Sequence, residues 1–110
     1  MIKQKTLKNE VTIEGEGVHI GKNVHLSLKP NTENSGIVFK RIDIENNNTI
    51  KALADYASDT LRGTTLTNNG VTIRTVEHLL AALMALDIDN VLIEMDNEEV
   101  PILEGNSYGF

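Results

Sequence analysis

Cysteine and tryptophan are absent from this 110-residue sequence, and aromatic residues make up only 4% of it. Without cysteine there is no disulfide framework and no thiolate zinc site, and a reducing compartment is the natural setting. With so few aromatic rings, the core has to be built from Val, Ile, Leu and Ala. Positive charge is also scarce: 10 Lys and Arg stand against 16 Asp and Glu, a net charge of -6. That balance argues against binding a phosphate backbone, and no basic stripe with interleaved aromatics appears, so nucleic acid is set aside. Long hydrophobic runs are missing too. The longest purely apolar run, Leu79 to Leu86, falls far short of the ~20 residues of a membrane span. The opening MIKQKTLKNE is polar and lacks the apolar stretch of a signal peptide. The expectation is a soluble, cytoplasmic chain forming one small domain.

What is present is mostly β-pattern. NVHLSLKP alternates, with Val24, Leu26 and Leu28 on one face and His25, Ser27 and Lys29 on the other. EVTIEGEG places Val11 and Ile13 together, GIVFKRIDI is a strong strand with apolar groups on both faces, and TIKAL follows. In TTLTNNGVTIRT, Asn69-Gly70 between two β-like runs predicts a type I′ hairpin. PNTENSG and ENNNT read as turns. The period then changes. Apolar residues at 76, 79, 80, 83 and 86 have helical spacing, Thr75 is a reasonable N-cap, and Asp87-Ile88-Asp89 ends the helix. NVLIEMD returns as a strand, with Val91, Ile93 and Met95 facing the core and Leu92 opposite. Many strands, one helix and one more strand predict an α+β two-layer sandwich, a mostly antiparallel sheet with one main helix packed on it.

The helix raises a question of its own. Its far side holds His78, Ala81, Ala82 and Ala85 and carries no charge between Glu77 and Asp87. An ordinary surface helix shows a polar outer face. Either this helix is central in its own domain, or another layer packs on the small Ala face. Glu77 and His78 open the helix, where the dipole and free N–H groups favour a carboxylate. The same field works against a second positive charge, which leaves the His78 imidazole with the lone pair a metal needs. A carboxylate beside a metal-activated water is the requirement of metal-assisted hydrolysis. The same pair also fits a dipole partner next to a surface histidine. A catalytic zinc takes three protein ligands. The remaining histidines are His19, in the glycine-rich GEGVHIG, and His25, on the polar side of a strand. No HxxxH or HxxEH spacing occurs, so the sequence does not complete a zinc site by itself.

Three stretches, in order, carry a resemblance: TLKNEVTIEGEGVHIGKNVHLSLKP, DTLRGTTL, and TVEHLLAALMALDIDNVLIEMDNEEVPILEGNS. Together they resemble the N-terminal half of the UDP-3-O-acyl-N-acetylglucosamine deacetylases, the zinc amidases of lipid A synthesis in Gram-negative bacteria. Glu104 departs mildly from the pattern, where the family usually has Asp. The resemblance implies a two-domain enzyme with its active site between two similar domains. It makes His78 a zinc ligand, Glu77 the general base, His19 a residue near the site, and Leu61, Arg62 and Gly63 part of the entrance. Where many members carry cysteines near that entrance, this sequence reads Arg62-Gly63-Thr64-Thr65.

The family's remaining metal ligands, a second catalytic histidine and the acyl passage belong to a C-terminal domain. Residues 1–110 are therefore expected to be a truncated N-terminal domain, inactive alone. The implied reaction is removal of the N-acetyl group from the UDP-linked sugar, releasing acetate. The uncovered Ala81/Ala82/Ala85 face predicts self-association. Two other readings stay open: a non-catalytic binding or assembly domain of the same fold, and a homodimer sharing a metal between two His78 side chains.

Overall fold

The computed structural model describes residues 4–17, 20–46, 48–60, 63–68 and 70–101, without the side chains of Ala54, Asp59 and Thr60. Its strands are β1 (Val11–Glu16), β2 (Asn23–Pro30), β3 (Ile37–Arg41), β4 (Thr49–Lys51), β5 (Ala57–Thr60), β6 (Gly63–Asn68), β7 (Val71–Arg74) and β8 (Val91–Met95). A 3-10 turn, Ala54–Tyr56, precedes β5, and the helix α1 spans Glu77–Ala85. Five strands form one sheet in the order β1-β2-β8-β3-β4, and β5-β6-β7 form a second. Every pairing is antiparallel except β3 with β8. The architecture is the expected α+β sandwich.

Strand registers explain where the core sits. Val11, Leu28, Ile93, Phe39 and Ile50 are cross-strand partners in a single row through all five strands. Because side chains alternate across a strand, that row and the neighbouring Ile13–Leu26–Met95 row share one face. Leu26, Leu28, Phe39, Ile93 and Met95 are completely buried there. The opposite face is polar and partly solvated, and it carries the Lys29–Glu94 ion pair at 2.7 Å. Val91, Ile93 and Met95 point inward as their alternation predicts. β8 is nevertheless the central strand, flanked by β2 and β3.

The second sheet holds the predicted hairpin. Asn68 pairs with Val71, leaving a two-residue loop whose Gly70 adopts φ 82, the positive value a primed turn requires; Asn69 lies outside the described residues. β5 has no counterpart in the sequence reading. Its ASDT contains no large apolar residue, and its pairing with β6 supplies the order.

Val76, Leu79 and Leu83 are completely buried with the sheet residues in one cluster. The helix stops where Asp87-Ile88-Asp89 predicts. Asp87 takes φ 57, its N–H donates to Met84 O, and Ile88 N–H donates to Leu83 O. These are the two bonds of a Schellman C-cap, here with Asp in the left-handed position usually given to glycine. Leu86 falls past the last helical residue and is 41% exposed, so it leaves the predicted apolar stripe.

Thr75 also departs from expectation. The cap position belongs to Val76, with no side-chain cap bond. Thr75 sits at φ 62, and its hydroxyl donates to Glu99 Oε2 at 2.6 Å instead. A buried carboxylate needs donors, and this one takes the hydroxyl that would otherwise cap the helix.

Candidate functional site

The strand-to-helix junction is stitched to the start of β6 by reciprocal bonds around one residue. Val76 N–H donates to Thr64 O at 3.1 Å. Thr64 N–H donates to Glu77 Oε2 at 2.8 Å. Glu77 is half-buried, and its carboxylate lies directly over Gly63. A Cβ added at Gly63 would stand 2.7 Å from Oε1 and 3.1 Å from Oε2. Gly63 itself has φ 112, a backbone conformation that L side chains rarely adopt. Both the backbone and the space thus require glycine here.

The structure brings Glu77 and Gly63 together across 14 positions of sequence (77 minus 63), and His78, next to Glu77 in the chain, is exposed in the first turn of α1. His19, Leu61 and Arg62 lie outside the described residues. His25 is exposed on the outer face of β2, away from this junction. Its Nδ1 lies 2.8 Å from Asp96 Oδ2 and its Nε2 lies 3.6 Å from Glu14. The Asp96 hydrogen bond is the main cause that holds the His25 imidazole above its ordinary range; desolvation opposes it, and the charges of Asp96 and Glu14 add to it.

Sequence reasoning passed over Glu99 and Thr64. Glu99 is completely buried. Its Oε1 accepts from Ile20 N–H at 3.0 Å, and its Oε2 accepts from the Thr75 hydroxyl. Arg74 and Glu99 form a parallel bridge, in which Arg74 N–H donates to Glu98 O and Val100 N–H to Arg74 O. The available signal was an acidic residue set directly before Val100 and Pro101, both buried. Thr64 acts through its backbone, for which its residue type gives no clue.

For a metal, the described residues supply one exposed imidazole, His78, and one carboxylate, Glu77, partly committed to Thr64. Among the described residues no group of three or more His, Asp and Glu side chains is placed to share an ion. This donor set fits one contributor to a zinc site and does not complete one. A separate cavity of about 620 Å³ opens at the other end of α1, between Ile37, Ala52, Leu53, Leu80, Met84 and Ile88; neither Glu77 nor His78 lines it. No helix among the described residues is long and apolar enough to cross a membrane.

The family model described as LpxC, UDP-3-O-acyl N-acetylglycosamine deacetylase, matches residues 4–110. The chain belongs to that family. It is 46% identical over its whole length to the UDP-3-O-acyl-N-acetylglucosamine deacetylase of Teredinibacter turnerae and 47% identical to that of Saccharophagus degradans, covering 36% of each. It is also 47% identical, over 97% of its length, to the bifunctional enzyme LpxC/FabZ of Bacteroides thetaiotaomicron, of which it covers 23%. The chain thus spans about a third or less of the length of these curated relatives.

Proposed function

We propose that this chain is the N-terminal part of a zinc-dependent deacetylase that removes the N-acetyl group of UDP-3-O-acyl-N-acetylglucosamine in lipid A biosynthesis, in the cytoplasm of a Gram-negative bacterium. The observation that carries the proposal is the Glu77 carboxylate, fixed by Thr64 N–H over Gly63 and adjacent to His78, in a chain of this family. Glu77 is the general base. A backbone N–H orients its carboxylate, so the group meets the attacking water in one geometry rather than many. His78 supplies one ligand to the metal, and residues beyond this chain supply the others. Zinc, when bound, polarises the amide carbonyl and acidifies the attacking water. Proton transfer from the attacking water to Glu77 accompanies attack on the acetyl carbon; that proton then passes to the amide nitrogen as the C–N bond breaks, so acetate leaves and the sugar keeps a free amine. The described residues do not complete the ligand set, and the 110-residue chain alone is inactive by this reading.

The test is turnover and zinc content in the full-length protein that carries this chain. Glu77→Ala lowers kcat by about 10²–10⁴-fold, the usual contribution of a positioned base, while zinc stays bound. Unchanged turnover would remove Glu77 from that role. In the isolated 110-residue chain, calorimetric titration with zinc shows weak binding or none. Tight binding that vanishes in His78→Ala would mean that the chain finds other ligands of its own.

A further inference from the structure

Glu99 is an expensive residue for its position. A completely buried carboxylate needs hydrogen bonds to compensate for lost hydration, and an aliphatic side chain would fill the same space without that demand. What the carboxylate does instead is join two backbone segments distant in sequence. Through Oε1 it holds Ile20 N–H, within the turn closed by Gly17 N–H to Lys22 O and Gly21 N–H to Gly17 O. Through Oε2 it holds the hydroxyl of Thr75, two residues before Glu77.

Both ends of this link are shaped around it. A Cβ on Gly17 would lie 2.6 Å from Glu99 Oε1, so the turn approaches the carboxylate as closely as glycine alone permits. Thr75 is β-branched yet held at φ 62, a conformation such residues rarely adopt, and its strain stands directly beside the helix start. The bridge of Arg74 to Glu99 fixes the carboxylate's own backbone to the strand that leads into Thr75.

We propose that Glu99 is a positioning residue: it sets the register between the turn closed by Gly17 and Gly21 and the Thr75–Glu77 junction that aims the Glu77 carboxylate. Its action on catalysis rests on the deacetylase reading; its action on geometry does not. Displacement of the junction moves Glu77 relative to the substrate carbonyl, which affects kcat and leaves substrate affinity largely alone.

The test uses the full-length protein with Thr75→Val, Thr75→Ser and Glu99→Ala. Thr75→Val keeps the β-branched shape and removes only the hydroxyl, so it is a smaller perturbation than Glu99→Ala. Expected is a fall in kcat of about 10- to 100-fold at nearly constant KM, as for a reacting group misplaced by a fraction of an ångström to an ångström. Thr75→Ser, which restores the hydroxyl, recovers most of that loss. In parallel, the Ile20 amide loses at least about tenfold of its hydrogen-exchange protection in Glu99→Ala, the effect of one lost hydrogen bond. Wild-type kcat in Thr75→Val together with an unchanged Ile20 amide would overturn the proposal. A wild-type protein with no deacetylase activity would refute the deacetylase reading alone; the Ile20 amide would then decide, with lost protection supporting the positioning role and retained protection refuting it.

Discussion

Gly63→Ala isolates the tightest contact of the site. The new Cβ would meet the Glu77 carboxylate at 2.7 Å, and the backbone would stay at φ 112. Holding an L residue there costs about 1–3 kcal/mol. The collision is relieved if the carboxylate swings away, which gives up the bond from Thr64 N–H. A hydrogen bond to a charged group contributes about 1.5–3 kcal/mol, and because Glu77 is half exposed, water recovers part of that and leaves about 1 kcal/mol. The sum is about 2–4 kcal/mol, read from the shift of the urea midpoint at constant slope. Gly70→Ala is the control, since Gly70 has φ 82 and nothing within 4 Å of its added Cβ; only the backbone cost applies there. The decisive number is the coupling. In a Glu77→Ala background the collision and the lost bond both disappear, so Gly63→Ala should cost about 1 kcal/mol less than in the wild type. Equal costs in the two backgrounds would show that Gly63 is required for backbone reasons alone and that Glu77 is not held over it.

Two more outcomes are expected. The NMR titration midpoint of His25 lies above the ordinary imidazole value and falls in Asp96→Asn, which keeps an acceptor for His25 N–H but loses the charge; because the folded value is the raised one, the pair's stabilisation is fully present below the unfolded value and is lost as pH rises through the folded one. An unshifted midpoint in Asp96→Asn would refute the assigned cause. The 110-residue chain self-associates through the outer side of α1, where Ala81 and Ala85 are exposed and Met84 is 77% exposed; sedimentation should show concentration-dependent mass that Ala81→Glu abolishes, and a monomer at high concentration would exclude that interface.

Those parts of the fold with a clean period were legible. Val24, Leu26 and Leu28 announced their strand and its buried face, and the Asp87 stop became the helix cap. Strand β5 was not legible because ASDT has no apolar period; its order comes from β6, a tertiary partner. Leu86 fits the helical spacing and still lies outside, because spacing does not say where a Schellman turn will cut the stripe. At the candidate site, Glu77, His78 and Gly63 were named from the helix start and the family resemblance, and the structure sets the Glu77 carboxylate over Gly63. Glu99 was not named, since its role arises from partners that, among the described residues, lie 79 and 24 residues away. Long-range carboxylate links leave no local pattern to read.

The central place of β8 dictates when this domain can fold. β2 and β3 each pair along their inner edge with a strand that ends at Met95, so on the ribosome neither has that neighbour until most of the domain has emerged. Until then the chain holds a β1–β2 hairpin and a β3–β4 hairpin with unpaired edges, the species most open to pairing with other chains. Folding of the large sheet is a late, concerted closure governed by non-local contacts, which is intrinsically slow. A nascent chain stalled before Val91 therefore presents two open strand edges to chaperones and proteases, while release of only five further residues, Val91–Met95, supplies the missing strand.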